Sequence, residues 1–370
     1  MLNTTLPRLI CPRCQCALAR SGQSESLTKG VQEIRSGQLT CEFCQARYPI
    51  LQGVALLVED VGSYLMEHVK GISQVVPDSE IPKEFRRHYQ DAKADIQSEH
   101  IEEDLEAERV NALYLMNHYL RVDALGAEAA WWQPRHGAGS PVIDALVREH
   151  WDRGPFATIE KWVSTRSGRQ RRHAVELGCG VGGLSARLKP CLSSYLGVDS
   201  SFASIALARH LALGTPYSRA LRIPEDLLHG PVAREIRIPV PASFDGSVDF
   251  VVGDLVSPPL QAGVWDFAIA LNTIDMLDEP AGLPAMQNDL LVEGGFAIQS
   301  CPYIWHEKVA SALRKRLPAS VRDSASAVEW LYEKAGFEIE ERSENVPWLF
   351  FKHVRQLEVY SVHAFAAKKR

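Results

Sequence analysis

Several things are missing from this sequence, and each absence narrows the reading. No apolar stretch approaches the ~20 residues that a membrane-crossing helix needs. The run MLNTTLPRLICPRC has no apolar core of the kind a secretory leader carries, so export is not expected and the cytoplasm is. Positive charge is not in excess: 40 Lys and Arg against 46 Asp and Glu leave a net charge of -6, which speaks against nucleic acid as partner. The short basic clusters, Arg166, Arg169, Arg171 and Arg172, then Arg314, Lys315 and Arg316, read as solvated surface. Internal repeats and low-complexity tracts are absent too. What remains is an ordinary globular mix, 46% hydrophobic and 23% charged, and 370 residues suffice for two domains.

Cysteine is plentiful. Eight in a chain with no expected export argue for metal ligation or free thiols over disulfides. Cys11-Pro12-Arg13-Cys14 and Cys41-Glu42-Phe43-Cys44 are two C-x-x-C knuckles 26 residues apart. Two such knuckles supply the four thiolates of a closed, tetrahedral structural zinc site, and a segment under 60 residues needs that staple because its own core is small. Cys16 reads as a spare thiol. With all four positions filled, the zinc has no open place for catalysis. LICPRCQCAL followed by LTCEFCQARYPILQGVALLV resembles the Trm112-like zinc ribbons over about 55 residues. That resemblance implies a module that stabilises a methyltransferase or supports its substrate binding.

Texture divides the chain into residues 1–58, 59–139 and 140–370. In the middle part, IEEDLEAERVNALYLMNHYL is helical by period, with an apolar face of Val110, Leu113, Met116 and Leu120. The paired Trp131 and Trp132 mark a structured loop. From about 140 onward, short apolar strands alternate with helical segments, the pattern of a parallel α/β sheet. The stretch RALRIPEDLLHGPVAREIRIPVP, within 214–246, exceeds what a helical crossover needs and reads as an insertion, a candidate flap.

AVELGCGVGG is the strongest signal of the third part. A strand runs into Gly178, Gly180, Gly182 and Gly183, and a helix follows through Leu184 to Leu188. Glycines there permit a sharp turn and close approach of a ligand, and the helix start offers free N–H groups. Nicotinamide dehydrogenases use a similar turn, so this motif alone decides little. SSYLGVDSS then ends a strand at Asp199, placed for ribose hydroxyls, and VDFVVGDLVSPPL ends the next at Asp254. E-L-G-C-G-x-G followed by V-D-S and G-D resembles class I S-adenosylmethionine-dependent methyltransferases. The resemblance implies a Rossmann-like, seven-stranded α/β sheet after the zinc ribbon and a helical connector. It also implies that Glu176, Gly178, Gly180 and Gly182 face the methionine end of the cofactor, Asp199 and Ser200 the ribose, and Asp254 and Leu255 the adenine.

Ligands of open α/β sheets sit beyond the carboxyl ends of the strands, which puts Asn272 and Asp275 after strand four, and Tyr303, Trp305 and His306 after strand five, beside the transferable methyl. N-T-I-D-M-L-D-E-P and S-C-P-Y-I-W-H-E resemble segments N-x-x-D-R-x-x-x-P and S-P-Y-x-W-x-E of two related groups. These are the methyltransferase domain of ovothiol biosynthesis and the DREV-type protein-histidine methyltransferases. The tail VPWLFFKHVRQLEVYSVHAF also resembles the first group; Met276 stands where both usually carry Arg, and Cys301 adjoins Pro302. Both groups methylate an imidazole nitrogen. By resemblance, Asp275 accepts the ring N–H and so fixes the tautomer, Asn272 anchors the ring beside the cofactor, and Tyr303 orients the substrate. The expected reaction is N-methylation of a histidine-derived small molecule, with 5-thiohistidine foremost. Histidine within a peptide or protein, or RNA and the translation machinery with the ribbon as docking module, are the alternatives. His306, His353 and His363 match no metal-ligand spacing and read as structural or surface residues; Arg355 and Tyr360 fall in a terminal hairpin.

Overall fold

The computed structural model describes the chain except residues 22–24, 27–29, 100, 123–130, 135–137, 169–171, 215–220, 225–232, 237, 239–244 and 354. It divides into two compact units. One holds Met1–Leu120, Gly180–Ala186 and Leu196–Gln261; the other holds Arg121–Cys179, Arg187–Tyr195 and Ala262–Arg370.

The first unit begins with an antiparallel ladder of Leu18–Ser21, Gly37–Cys41, Arg47–Leu51 and Val54–Leu57. Its last turn is Gln52-Gly53, both with positive φ (50° and 82°), the twist that a two-residue hairpin loop requires. Val54–Leu57 is wholly buried and pairs on its other side, in parallel, with the third α/β strand, Val248–Gly253 (Val252 with Leu56, Gly253 with Leu57). That strand, VDFVVG, is buried at every position, as a strand covered on both faces must be. The ribbon is therefore an extension of the α/β sheet. Strand two, Ser194–Asp199, lies on the far side of strand three.

A buried ionic cluster reinforces this join. The Arg209 guanidinium donates to Glu33 of the ribbon at 2.6 Å and to Asp249 of strand three, while Asp249 also accepts from the Leu2 N–H and the Thr5 hydroxyl. The connector contributes helices Lys83–Glu99 and Ile101–Tyr119. Of the expected apolar face, Leu113, Met116 and Leu120 are buried, whereas Val110 is exposed. Within the expected insertion, Leu221–Pro224 and Ala233–Ile236 pair antiparallel; most of the rest of the candidate flap lies outside the described residues.

In the second unit, strand one (His173–Leu177), strand four (Trp265–Leu271) and strand five (Leu291–Cys301) run parallel. Strand seven (Gln356–Lys369) is antiparallel to strand five, and strand six (Phe337–His353) is antiparallel to strand seven. The order 1-4-5-7-6 ends in the antiparallel hairpin expected from the tail. Trp131 packs edge-on against Trp151 and Phe351, and Trp132 donates to Asp144, so the described part of the Trp loop is anchored. No helix among the described residues is long and apolar enough to cross a membrane.

Candidate functional site

In the ribbon, Cys11, Cys14, Cys41 and Cys44 bring their sulfurs within 4.8 Å of one another. The pairs Cys11–Cys44 and Cys14–Cys41 stand 3.6 and 3.3 Å apart. Tetrahedral zinc with ~2.3 Å Zn–S bonds needs sulfurs about 3.8 Å apart, so the cluster has the size of a structural zinc site. The two knuckles are built alike. Gln15 and Gln45 follow them with φ of 59° and 57°, and each donates its N–H to the carbonyl of the first cysteine, Cys11 or Cys41. Burial alone would raise the Cys41 thiol, but the N–H groups of Cys44 and Phe43, together with the Cys14 and Cys44 thiols, bring its pKa down to about 6. The Tyr48 hydroxyl lies 3.0 Å from the Cys11 sulfur, giving the Tyr of the YPI segment a physical reason. Cys16 turns its sulfur to the Cys14 carbonyl, away from the four.

The glycine-rich turn gives its glycines different tasks. Gly178 (φ 78°) has Thr273 Oγ1 only 2.7 Å from where a Cβ would stand. Gly182 (φ 74°) has the Phe250 ring at 2.6 Å. Gly180 (φ 51°) has nothing within 4 Å, an open cradle in the middle of the turn. Its N–H donates to Oδ2 of Asp199 at 2.8 Å, and the Ser201 N–H donates to Oδ1 at 2.9 Å. Burial raises the Asp199 pKa against the pull of the Ser201, Gly180 and Ser200 N–H groups, so further donors to this carboxylate would be welcome. Hydroxyls of a ribose are such donors. An open glycine beside an acidic strand end thus fits the adenosyl group of S-adenosylmethionine.

Around this turn, Tyr119 donates to the Val181 carbonyl at 2.8 Å, a Cβ on Gly183 would collide with His118, and Tyr64 donates to the Ser200 carbonyl at 2.6 Å. The connector therefore grips both ends of the candidate cradle. Beside Ser201 and Phe202 opens a cavity of about 500 Å³, also lined by Glu67, His68 and Lys70. Asp254 is exposed, its Oδ1 accepting the Val256 N–H at 2.9 Å, and Leu255 beside it is half-buried.

In the second unit, Glu176 is buried and accepts the Tyr195 hydroxyl. Asn272 follows strand four with φ 51°, its N–H bound to the Ser300 carbonyl at 2.7 Å, and its Oδ1 accepting from the Ser300 hydroxyl at 3.3 Å. Asp275 is 3% exposed; its Oδ2 accepts the Ile304 N–H at 2.7 Å, pinning the segment after strand five. Tyr303, in that segment, has φ 62° and stacks on Trp305 at 5.9 Å. Burial raises its pKa, with the neighbouring Cys301 adding to the effect. The Tyr303 hydroxyl is 2.7 Å from Nδ1 of His363. His363 is thus no isolated structural histidine. Sequence reasoning passed over it because its partner lies 60 residues away and only the strand pairing joins them. His306 is exposed at the start of helix Glu307–Arg316, and Tyr360 donates to Glu358 at 2.6 Å. Met276, next to Asp275 in the sequence, is 69% exposed, and Ile304, whose N–H Asp275 accepts, is 59% exposed.

No family profile and no curated protein matches the chain. Solved structures do resemble it. The magnesium protoporphyrin IX methyltransferase of Synechocystis PCC 6803, with bound SAH, is 15% identical over 64% of this chain and 90% of its own, with a TM-score of 0.40. A chain from the complex of the Haloferax volcanii Trm112 methyltransferase activator with a methyltransferase is 14% identical over 61% of this chain and 92% of its own, TM-score 0.38. The [4+2]-cyclase SpnF is 15% identical over 60% and 84%, TM-score 0.40. At such identity and TM-score these likenesses bear on neither cofactor nor substrate.

Proposed function

We propose that this chain is an S-adenosylmethionine-dependent N-methyltransferase of an imidazole ring in a histidine-derived small molecule, 5-thiohistidine foremost, with structural zinc in its ribbon. The observation that carries the acceptor half is the backbone of Asn272 and Tyr303. Both are non-glycine residues held at positive φ, at the carboxyl ends of neighbouring strands. For a tyrosine this conformation costs on the order of 1–3 kcal/mol, and such strain gathers at functional sites. The donor half rests on the open Gly180 cradle and the Asp199 carboxylate beside it. Asp254, Leu255, Ser200 and Glu176 complete the proposed cofactor set, as the motif resemblance assigns them. The division into ribbon, connector and catalytic part is proposed on the same footing.

Bound S-adenosylmethionine supplies an electrophilic methyl group to a nitrogen lone pair. The protein's part is to aim that lone pair, and alignment of this kind contributes up to about 7–11 kcal/mol. Asn272 offers an amide to one side of the ring. Tyr303 offers its hydroxyl to a ring N–H, which selects the tautomer with its lone pair free. Asp275 is nearly inaccessible, and its hold on the Ile304 N–H favours a positioning role, setting the segment that carries Tyr303. Zinc stays outside the chemistry.

The test incubates the protein with S-adenosylmethionine and, separately, 5-thiohistidine, histidine, histidine-containing peptides and bulk RNA, following methyl incorporation by mass spectrometry. Methylated 5-thiohistidine is the expected product. Incorporation confined to RNA overturns the imidazole assignment, and incorporation confined to peptides moves it to protein histidine.

A further inference from the structure

A phenol, an imidazole and two carboxylates meet near the carboxyl end of strand five. The ladder of strands five and seven pairs Cys301 with His363 and holds its register from Phe296 opposite Lys368, so His363 is fixed against the carboxyl end of strand five. Two residues beyond Cys301, Tyr303 turns back through its left-handed backbone and brings its hydroxyl to 2.7 Å from Nδ1 of His363. The opposite ring nitrogen, Nε2, stands 3.3 Å from Oε1 of Glu329 and 3.6 Å from Oε1 of Glu344. Glu329 comes from helix Ser324–Lys334 and Glu344 from strand six. Arg342 holds Glu329 in a two-pronged pair at 2.9 and 3.0 Å. The remaining titratable groups near the ring are Cys301, its strand partner, and Asp323, whose charge it feels. His363 itself is 4% exposed.

His363 has Nδ1 at hydrogen-bond distance from a hydroxyl, and a buried Nε2 within ion-pair distance of two carboxylates but hydrogen-bonded to neither. That is the arrangement of a ring able to take up a proton and to hold the resulting charge. Carboxylate-backed histidines serve as proton acceptors in this way.

We propose that Tyr303 and His363 form the proton outlet of the acceptor site. The inference rests on the methyl-transfer reading for its reaction, and adds to it where the displaced proton goes. As the acceptor nitrogen is methylated, the ring N–H bond breaks, leaving its electron pair on the ring, and the proton bonds to the Tyr303 oxygen. The Tyr303 O–H bond breaks in the same motion and that proton bonds to Nδ1 of His363. The phenol ends unchanged, and one positive charge rests on His363, opposite Glu329 and Glu344. Neutral His363 must carry its hydrogen on Nε2 for this to work. Tyr303 touches the acceptor in this scheme; His363 acts through it.

Two measurements decide the matter. The first is nitrogen NMR of histidine-labelled protein without donor or acceptor. At pH 8 the expected form of His363 is Nε2–H, with an Nδ1 resonance that Tyr303→Phe displaces; Nδ1–H in the wild type overturns the proposal. The second is the pH profile of kcat in the assay above. The acid limb of the wild type should carry two ionisations, the acceptor's and that of His363, because a ring already protonated takes no further proton. His363→Gln, which keeps a hydrogen-bonding group beside Tyr303, should lower kcat about 100-fold with KM unchanged and reduce the limiting slope from two to one. A slope of two in a folded His363→Gln overturns the outlet while leaving the methyl-transfer reading intact. If the wild type methylates nothing in the panel, that reading falls and the outlet falls with it.

Discussion

Gly178, Gly180 and Gly182 share one short turn and the same sign of φ, but their surroundings predict different fates for alanine. At Gly182 an added Cβ meets Phe250 and Ala208, so overpacking (about 1–3 kcal/mol) adds to left-handed strain (about 1–2 kcal/mol). At Gly180 only the backbone strain applies, and the new methyl enters the cradle. Gly182→Ala should therefore lower unfolding free energy by about 2–5 kcal/mol. Gly180→Ala should cost stability only about 1–2 kcal/mol while weakening S-adenosylhomocysteine binding at least tenfold. Denaturant unfolding and calorimetric titration check both, and equal binding by Gly180→Ala and wild type would remove the cradle. The motif announced these glycines but not which of them has open space beside it, since that depends on Thr273 and Phe250 arriving from other strands. For the same reason Tyr303 was legible as a candidate and His363 was not.

At the scale of elements, the ribbon was the most legible part, because each knuckle is a local turn whose four residues carry their own chemistry. Tyr48 entered only through resemblance; its hydroxyl on the Cys11 sulfur now explains it. Such outer partners of a ligand are worth about 10–100-fold in metal affinity. Tyr48→Phe should accordingly keep the fold but release zinc to a chelator at 10–100-fold lower chelator concentration, read with a colorimetric dye. Unchanged release would reduce Tyr48 to packing. The connector helix Ile101–Tyr119 was legible in its period and in Leu113, Met116 and Leu120. Its real point of attachment was not. His118 and Tyr119 grip the glycine-rich turn, and polar residues in a charged helix give no sign of that in a one-dimensional pattern.

Taken as a whole molecule, the chain hides its most consequential join in four apolar residues. Val54–Leu57 was readable as a strand, but nothing local says that its parallel neighbour is Val248–Gly253, nearly two hundred residues on. Arg209, Glu33 and Asp249 lock that join with buried charge. Replacing Arg209 by Leu strands two carboxylates out of water, at an expected cost of about 3–5 kcal/mol. Because ribbon and sheet share one ladder, urea unfolding of Arg209→Leu should show loss of the far-UV circular dichroism signal and release of zinc to a dye together, in a single transition at lower midpoint. Zinc loss well ahead of the sheet would mean the two melt independently. The outer edge of strand three is already taken by the chain's own Leu56 and Leu57. The stoichiometry of ribbon to sheet is one by covalent necessity, and no rival copy can claim the slot.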